Sequence, residues 1–272
     1  MHIQERDGKI ISYVKDLLNF NKVKKVSDGY KTSMIKILDN KTIGEWACGK
    51  ITRNTISIWR RKRKLAMKHF NSEKLKQHSL NTYAKLKETK IPTWNTYRNI
   101  EWEASVLMTR WNKEKASFVV SSNGWKNTSK DSEKLRKNPI AINTISNLDD
   151  CFSTCLDTIE KLSKNKIKAP SDSYMVIYKN NEIKIIIWDF DSVRTTDKND
   201  VFFDDKMMSE DYKTIFEQNL KDFCVFIGIV SVYFNKGLLI EDFINFLLKE
   251  QAKKDSRVRH IEIEKILSRY IH

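Results

Sequence analysis

The chain is poor in the residues that punctuate a fold: its 272 positions include only seven glycines and three prolines. That excludes a collagen-like or Pro/Gly-rich disordered polymer, and it makes each Gly or Pro that does occur informative. Cysteine is equally sparse. Cys48, Cys151, Cys155 and Cys224 are too few and too scattered for a disulfide framework, and a reducing compartment fits them. Cys151 and Cys155 stand four apart in an apolar-periodic segment with no His or second Cys pair nearby, so they read as packing residues rather than zinc ligands. No apolar run approaches the roughly 20 residues of a membrane span, and residues 1–7 lack the apolar core of a signal peptide. The expectation is a cytoplasmic protein without a membrane partner, nuclear import remaining open in a eukaryotic cell. Negative charge is also short: 50 Lys+Arg face 35 Asp+Glu, a formal charge of +15. Such a balance favours an anionic partner, whether nucleotide, nucleic acid or acidic protein, and says nothing of fold.

What is present is enough apolar material, 40% of residues, to bury the core of one large domain or two small ones. Residues 3–20 have helical apolar spacing through Ile10, Ile11, Val14, Leu17 and Leu18. From 30 to 70 the pattern shifts to short β-rich runs: 33–38, 50–52 continuing into 55–59, and 65–70. Leu75, Leu80, Tyr83 and Leu86 then predict a helix over 71–89, with Asn71 or Ser72 as its N-cap, and two strands follow at 93–98 and 104–109. A hydrophilic stretch, 112–137, marks the best internal boundary. Beyond it, 147–162 is amphipathic and helical, and two β-branched runs flanking Asn180-Asn181 predict a hairpin. Helices are expected at 211–234, 240–249 and 261–270, and no internal repeat is visible. The expected organisation is a helical extension at 1–30, a sheet-rich lobe at 31–111 and a mainly helical lobe at 112–272.

Three segments carry chemistry. The hairpin's second strand ends in Asp189-Phe190-Asp191; an acid at the end of an apolar strand needs a partner, and a metal ion bound to phosphates would supply one. Taken alone, the tripeptide is equally a turn acid or an N-cap. Upstream, Gly44 and Gly49 bracket a Gly-x-x-x-x-Gly turn between strands, where backbone N–H groups could approach phosphates. Between them in the chain, Leu65-Ala66-Met67-Lys68 sets a lysine in an otherwise apolar strand. The run Arg60-Arg61-Lys62-Arg63-Lys64 beside Trp59 is the sharpest charge feature, and reads as a solvated or partner-docking turn before a nucleic-acid patch.

In this order and spacing, over about residues 37–237, the segments resemble the eukaryotic-type protein kinase-like superfamily, as a divergent member or pseudokinase. Gly44 and Gly49 fall on the first and third glycines of the family's phosphate-covering loop, with Trp46 in place of the middle one and Ile51 in the following Val place. Leu65-Ala66-Met67-Lys68 is similar to V-A-I-K, and Asp189-Phe190-Asp191 to D-F-G. The segment Phe226 to Gly237 is similar to the family's large C-lobe helix, with Asp222 one residue out of register. The resemblance implies an α+β, two-lobed protein-kinase-like fold: a small antiparallel sheet with one helix, then a mainly helical lobe, with ATP and Mg²⁺ between them. It implies phosphate contacts from Gly44, Trp46, Gly49, Ile51 and Lys68, adenine near Leu107 and Thr109, and metal held by Asp189 and Asp191.

The departures are equally specific. The family's catalytic Asp falls on Lys168 and its metal-binding Asn on Ser173, while Ser79 stands where the lysine-pairing Glu belongs. A lysine cannot accept a hydroxyl proton. If the loop is shorter than that alignment, Asp172 becomes the substitute base and, with Lys68, the catalytic pair. Two outcomes of the resemblance stand: a weak phosphotransferase of the serine/threonine protein kinase type, or an inactive nucleotide-binding pseudokinase with a protein partner. An alternative is a basic nucleic-acid- or protein-binding module on the same scaffold, using residues 60–64.

Overall fold

The computed structural model describes residues 46–51, 55–60, 65–70, 72–93, 97–100, 105–109, 118–121, 135–198, 201–235, 238–259 and 261–263. The helix expected at 3–20 and the strand expected at 33–38 lie outside them, as does Gly44. The architecture is α+β, with antiparallel sheets and helices. It divides into two compact units, one of residues up to Leu80 with Asn95–Arg110, the other of Asn81–Trp94 and the chain from Trp111 onward.

The first unit is built on a five-stranded antiparallel sheet of order β1-β2-β3-β5-β4. Its strands are β1 (Trp46–Ile51), β2 (Thr55–Arg60), β3 (Leu65–Phe70), β4 (Tyr97–Ile100) and β5 (Ser105–Thr109). Two expectations are corrected here. The run 50–59 is two strands, not one: β1 and β2 pair antiparallel with Ile51 opposite Ile56. Ile51-Thr52 and Thr55-Ile56 are β-formers on both sides of the reversal, so composition hid it. The segment 44–49 is likewise not a hairpin turn, because Trp46–Ile51 is strand; Gly49 sits where the register shifts between Cys48 and Lys50. A residue without Cβ suits the extra position of such a bulge. The strand expected at 93–98 begins later, at Tyr97, and Thr93, which belongs to the second unit, makes an isolated parallel bridge to Ile187 of that unit's hairpin.

Between β3 and β4 runs helix α1 (Glu73–Glu88). Ser72 caps it, its Oγ accepting from the Leu75 N–H at 3.3 Å. It ends with Lys90 at φ 56° and the Ile91 N–H donating to the Leu86 carbonyl at 2.9 Å. That is a Schellman-type close, which favours glycine at the left-handed position. In so glycine-poor a chain a lysine takes it.

The second unit holds a three-stranded sheet of order β6-β7-β8: β6 (Phe118–Ser121), β7 (Tyr174–Lys179) and β8 (Glu182–Ile187). The β7–β8 hairpin closes through Asn180 and Asn181 at φ 51° and 60°, with Lys179 opposite Glu182. Two left-handed residues make a primed turn, which the right-handed strand twist favours and which asparagine tolerates. Strand β6 was not expected. Phe118-Val119-Val120-Ser121 has β-forming residues, but four positions inside a polar stretch carry too little periodicity to stand out, and pairing with β7 supplies the rest.

The unit's helices are α2 (Leu148–Lys164), α3 (Tyr212–Val230) and α4 (Leu238–Gln251). Asn147 ties the start of α2 to β8 by donating to the Ile183 carbonyl at 2.8 Å and accepting from the Ile183 N–H at 2.9 Å. The core gathers aromatic rings from three helices and β7. Phe243 packs at 5.1 Å from Phe152 and 5.2 Å from Phe223, and Tyr174 lies 5.2 Å from Phe223. All four are essentially inaccessible. Cys151, Cys155 and Cys224 are free and buried here, the packing role their spacing suggested. Among the described residues no helix is long and apolar enough to cross a membrane.

Candidate functional site

In the second unit the acidic motif is tied to the loop before the hairpin. Ser171–Ser173 forms a single 3-10 turn, the Ser173 N–H donating to the Pro170 carbonyl at 2.9 Å. The Ser173 carbonyl then accepts from the Trp188 N–H at 2.9 Å and the Asp189 N–H at 3.5 Å. Side chains repeat the link. Ser192 Oγ donates to Asp172 Oδ1 at 3.3 Å and lies 3.2 Å from Ser173 Oγ. Asp172 and the Asp189–Asp191 segment, 17 residues apart at their nearest in sequence, are thus held side by side. Asp189 is only 8% exposed, whereas Asp172 and Asp191 are half-buried. Phe190 between the two acids is fully buried, its ring 5.5 Å from that of Tyr83 on α1. Burying the middle residue fixes which way its neighbours can turn.

The loop itself is clamped from behind. Asn219 on α3, 1% exposed, accepts from the Ala169 N–H at 3.1 Å through Oδ1. Its Nδ2 donates to the Ile167 carbonyl at 2.9 Å and to Ser163 Oγ at 3.1 Å. One buried amide therefore satisfies backbone groups on both sides of Lys168. The sequence reading did not single out Asn219; its signal is a polar side chain on the helix face of Phe216, Leu220, Phe223 and Cys224. Asn219→Leu keeps the volume and orphans both backbone groups. We expect it to lower unfolding free energy in urea by about 2–4 kcal/mol, and a change near zero would show the clamp to be incidental.

Lys168, which the alignment set at the catalytic acid position, has another occupation. Its Nζ lies 2.9 Å from Glu210 Oε2 and 3.7 Å from Asp204 Oδ2, and its backbone pairs with Arg194 in both directions at 2.9 and 3.0 Å. Burial pushes the Glu210 carboxyl up, but hydrogen bonds from Lys168 and Gln218 outweigh it and hold the group below the ordinary carboxylate range. Lys168 is an ion-network residue. Asp172 is then the carboxylate that the short turn presents between Lys168 and β7.

Asp222 on α3 also reaches this neighbourhood. Burial pushes its carboxyl up to about 6; Arg194 and Lys168 pull it down, and the negative charge of Asp172 pushes it up. Among the described residues no group of three or more His, Cys, Asp or Glu side chains is gathered closely enough to share a metal ion. Any cation held by Asp189 and Asp191 would complete its shell with phosphate oxygens and water, the usual habit of Mg²⁺.

In the first unit, Lys68 lies on β3 between Ser57 of β2 and Val106 of β5. It is 6% exposed, beside the buried Phe70 and Val106, with Nζ 5.5 Å from the Phe70 ring centroid. Lys68 is thus not a solvent-facing strand lysine. Ser79 on α1, at the position of the family's lysine-pairing Glu, instead shares a 2.7 Å hydrogen bond with the Tyr97 hydroxyl in the core. Glu73 pairs with Lys76 at 2.8 Å. Of the remaining predicted contacts, Trp46, Gly49 and Ile51 are on β1 and Leu107 and Thr109 on β5. Arg60 ends β2, and the rest of the basic run, 61–64, lies outside the described residues.

No protein-family model matches the sequence, and no curated protein matches it. Among solved structures the chain is similar to WaaP in complex with acyl carrier protein, at 9% identity and a TM-score of 0.45, covering 83% of this chain and 88% of that one. It is also similar to the aerobactin synthetase IucC from a hypervirulent pathotype of Klebsiella pneumoniae, at 13% identity and a TM-score of 0.38, covering 80% of this chain and 47% of that one. Both are distant likenesses.

Proposed function

We propose that the chain is a divergent kinase-like protein that binds ATP with Mg²⁺ and transfers its γ-phosphoryl group to a hydroxyl. The observation that carries this reading is the junction of two loops in the second unit, where Asp172 is hydrogen-bonded through Ser192 into the segment bearing Asp189 and Asp191. Phosphoryl transfer asks a protein chiefly for positioned charge. Asp189, at the end of a buried strand, is the metal-holding carboxylate, with Asp191 as its neighbour in that role. The bound ion would neutralise phosphate charge. In the first unit, taken by itself, Lys68 is a buried cation suited to a phosphate contact. Asp172 accepts the proton of the acceptor hydroxyl as its oxygen bonds to the γ-phosphorus and the bond to the leaving ADP oxygen breaks. Lys168 is committed to Asp204 and Glu210.

The competing reading is a basic module that meets nucleic acid through residues 60–64. Titrations separate the two. Nucleotide binding of the proposed kind requires Mg²⁺ and saturates at one ATP per chain; binding to RNA or DNA through phosphate contacts falls steeply with salt. We expect saturable Mg·ATP binding at 150 mM salt. Salt-sensitive nucleic-acid binding without any response to Mg·ATP would replace the kinase-like reading with the other.

A further inference from the structure

Beside the carboxylate turn, the second unit opens into a polar cavity of about 410 Å³ lined by Lys168, Pro170, Arg194, Gln218, Lys221, Asp222 and Val225. That volume lies in the range of small-ligand sites. Its wall combines three cations with a single carboxylate, and the cations are not equivalent. Lys168 is neutralised from behind by Glu210 and Asp204. Arg194 reaches Asp204 only through one nitrogen at 3.6 Å, and its side chain is 61% exposed. Lys221 is exposed and makes no ion pair among the described residues. The charge available to a ligand is therefore that of Arg194 and Lys221, set against one carboxylate, Asp222, and one neutral amide, Gln218.

We infer that this cavity binds a small hydroxylated phosphate monoester, its phosphate held by Arg194 and Lys221 and a hydroxyl directed to Asp222. A guanidinium and an ammonium match a phosphate, the first by its planar fork and the second as a point charge. A carboxylate opposite them selects a hydrogen-bond donor and disfavours a ligand that is anionic throughout. Pro170, two residues before Asp172, forms part of the wall, and Asp222 lies within the field of Asp172. The inferred binding does not rest on the function proposed above.

The probe is glycerol 3-phosphate, titrated calorimetrically into the full chain beside glycerol and glycerate. We expect glycerol 3-phosphate to bind, glycerol not to bind, and glycerate to bind more weakly. Arg194→Gln and Lys221→Gln should each weaken glycerol 3-phosphate by about fivefold or more, the loss of one charge-assisted contact. Asp189→Ala keeps this binding while losing any response to Mg·ATP, so failure of the nucleotide reading and failure of the cavity are told apart. Absence of binding in wild type, equal binding of glycerol, or unchanged affinity in both cation variants overturns the inference. Circular dichroism of each variant excludes unfolding as the cause of a loss.

Discussion

Asp172→Asn is expected to lower single-turnover transfer of labelled phosphate from ATP by about 10²–10⁴-fold, the usual contribution of a positioned general base, while leaving nucleotide affinity unchanged. The substitution is conservative where it must be. Ser192 donates to Asp172 Oδ1, and an asparagine carbonyl accepts that bond equally well, so the 3-10 turn and its link to the Asp189 segment persist. What disappears is the ability to take a proton. Of its neighbours, Lys168 is a cation bound to Glu210 and Asp204, and Asp189 is buried at the strand end. An unchanged transfer rate would remove Asp172 from the chemistry, and the activity would then need another base.

Lys68→Met is expected to weaken ATP binding by about tenfold to hundredfold, because a charge-assisted hydrogen bond to phosphate is worth about 1.5–3 kcal/mol. Nucleotide titration reads that loss, and urea unfolding of the unliganded variant reads what the side chain, 6% exposed on β3, contributes to the fold. A loss of stability with ATP affinity unchanged would assign Lys68 to the fold alone.

Much of the architecture was legible in the sequence where periodicity is long or turn chemistry is explicit. The apolar spacing through Leu148, Phe152, Cys155, Leu156 and Ile159 announced α2, and Asn180-Asn181 announced the β7–β8 hairpin with its left-handed pair. Strand β6 escaped because four β-forming residues are decided by their partner strand, not by themselves. The β1–β2 reversal escaped because β-branched residues continue on both sides of it, and the glycines at 44 and 49 suggested a turn where Gly49 accompanies a bulge. Boundaries of this kind are set by cross-strand pairing, which one strand's composition does not encode.

The candidate site divides in the same way. Asp189 was legible from an acid placed at the end of an apolar strand, and its burial follows from that. The course of the loop before Asp172 could not be fixed from the sequence alone; the pairing of Lys168 with Arg194 and the turn at Ser171–Ser173 show that course. Asn219 was invisible because its partners, Ile167 and Ala169, are backbone groups some fifty residues away in sequence. A buried amide with backbone partners leaves no pattern in side-chain types.

The proposed function rests most on the second unit's acidic junction, where Asp189 with Asp172 is expected to serve a bound Mg·ATP. The direct measurement is thermal unfolding with and without Mg·ATP at about a hundred times its dissociation constant, where binding adds about 2.7 kcal/mol of stability. That corresponds to a rise of roughly 5–10 °C for units of this size. The prediction is that rise in wild type, dependent on Mg²⁺, and its loss in Asp189→Ala. A wild-type protein that ignores Mg·ATP, or an Asp189→Ala variant that responds as wild type does, would contradict the proposed function.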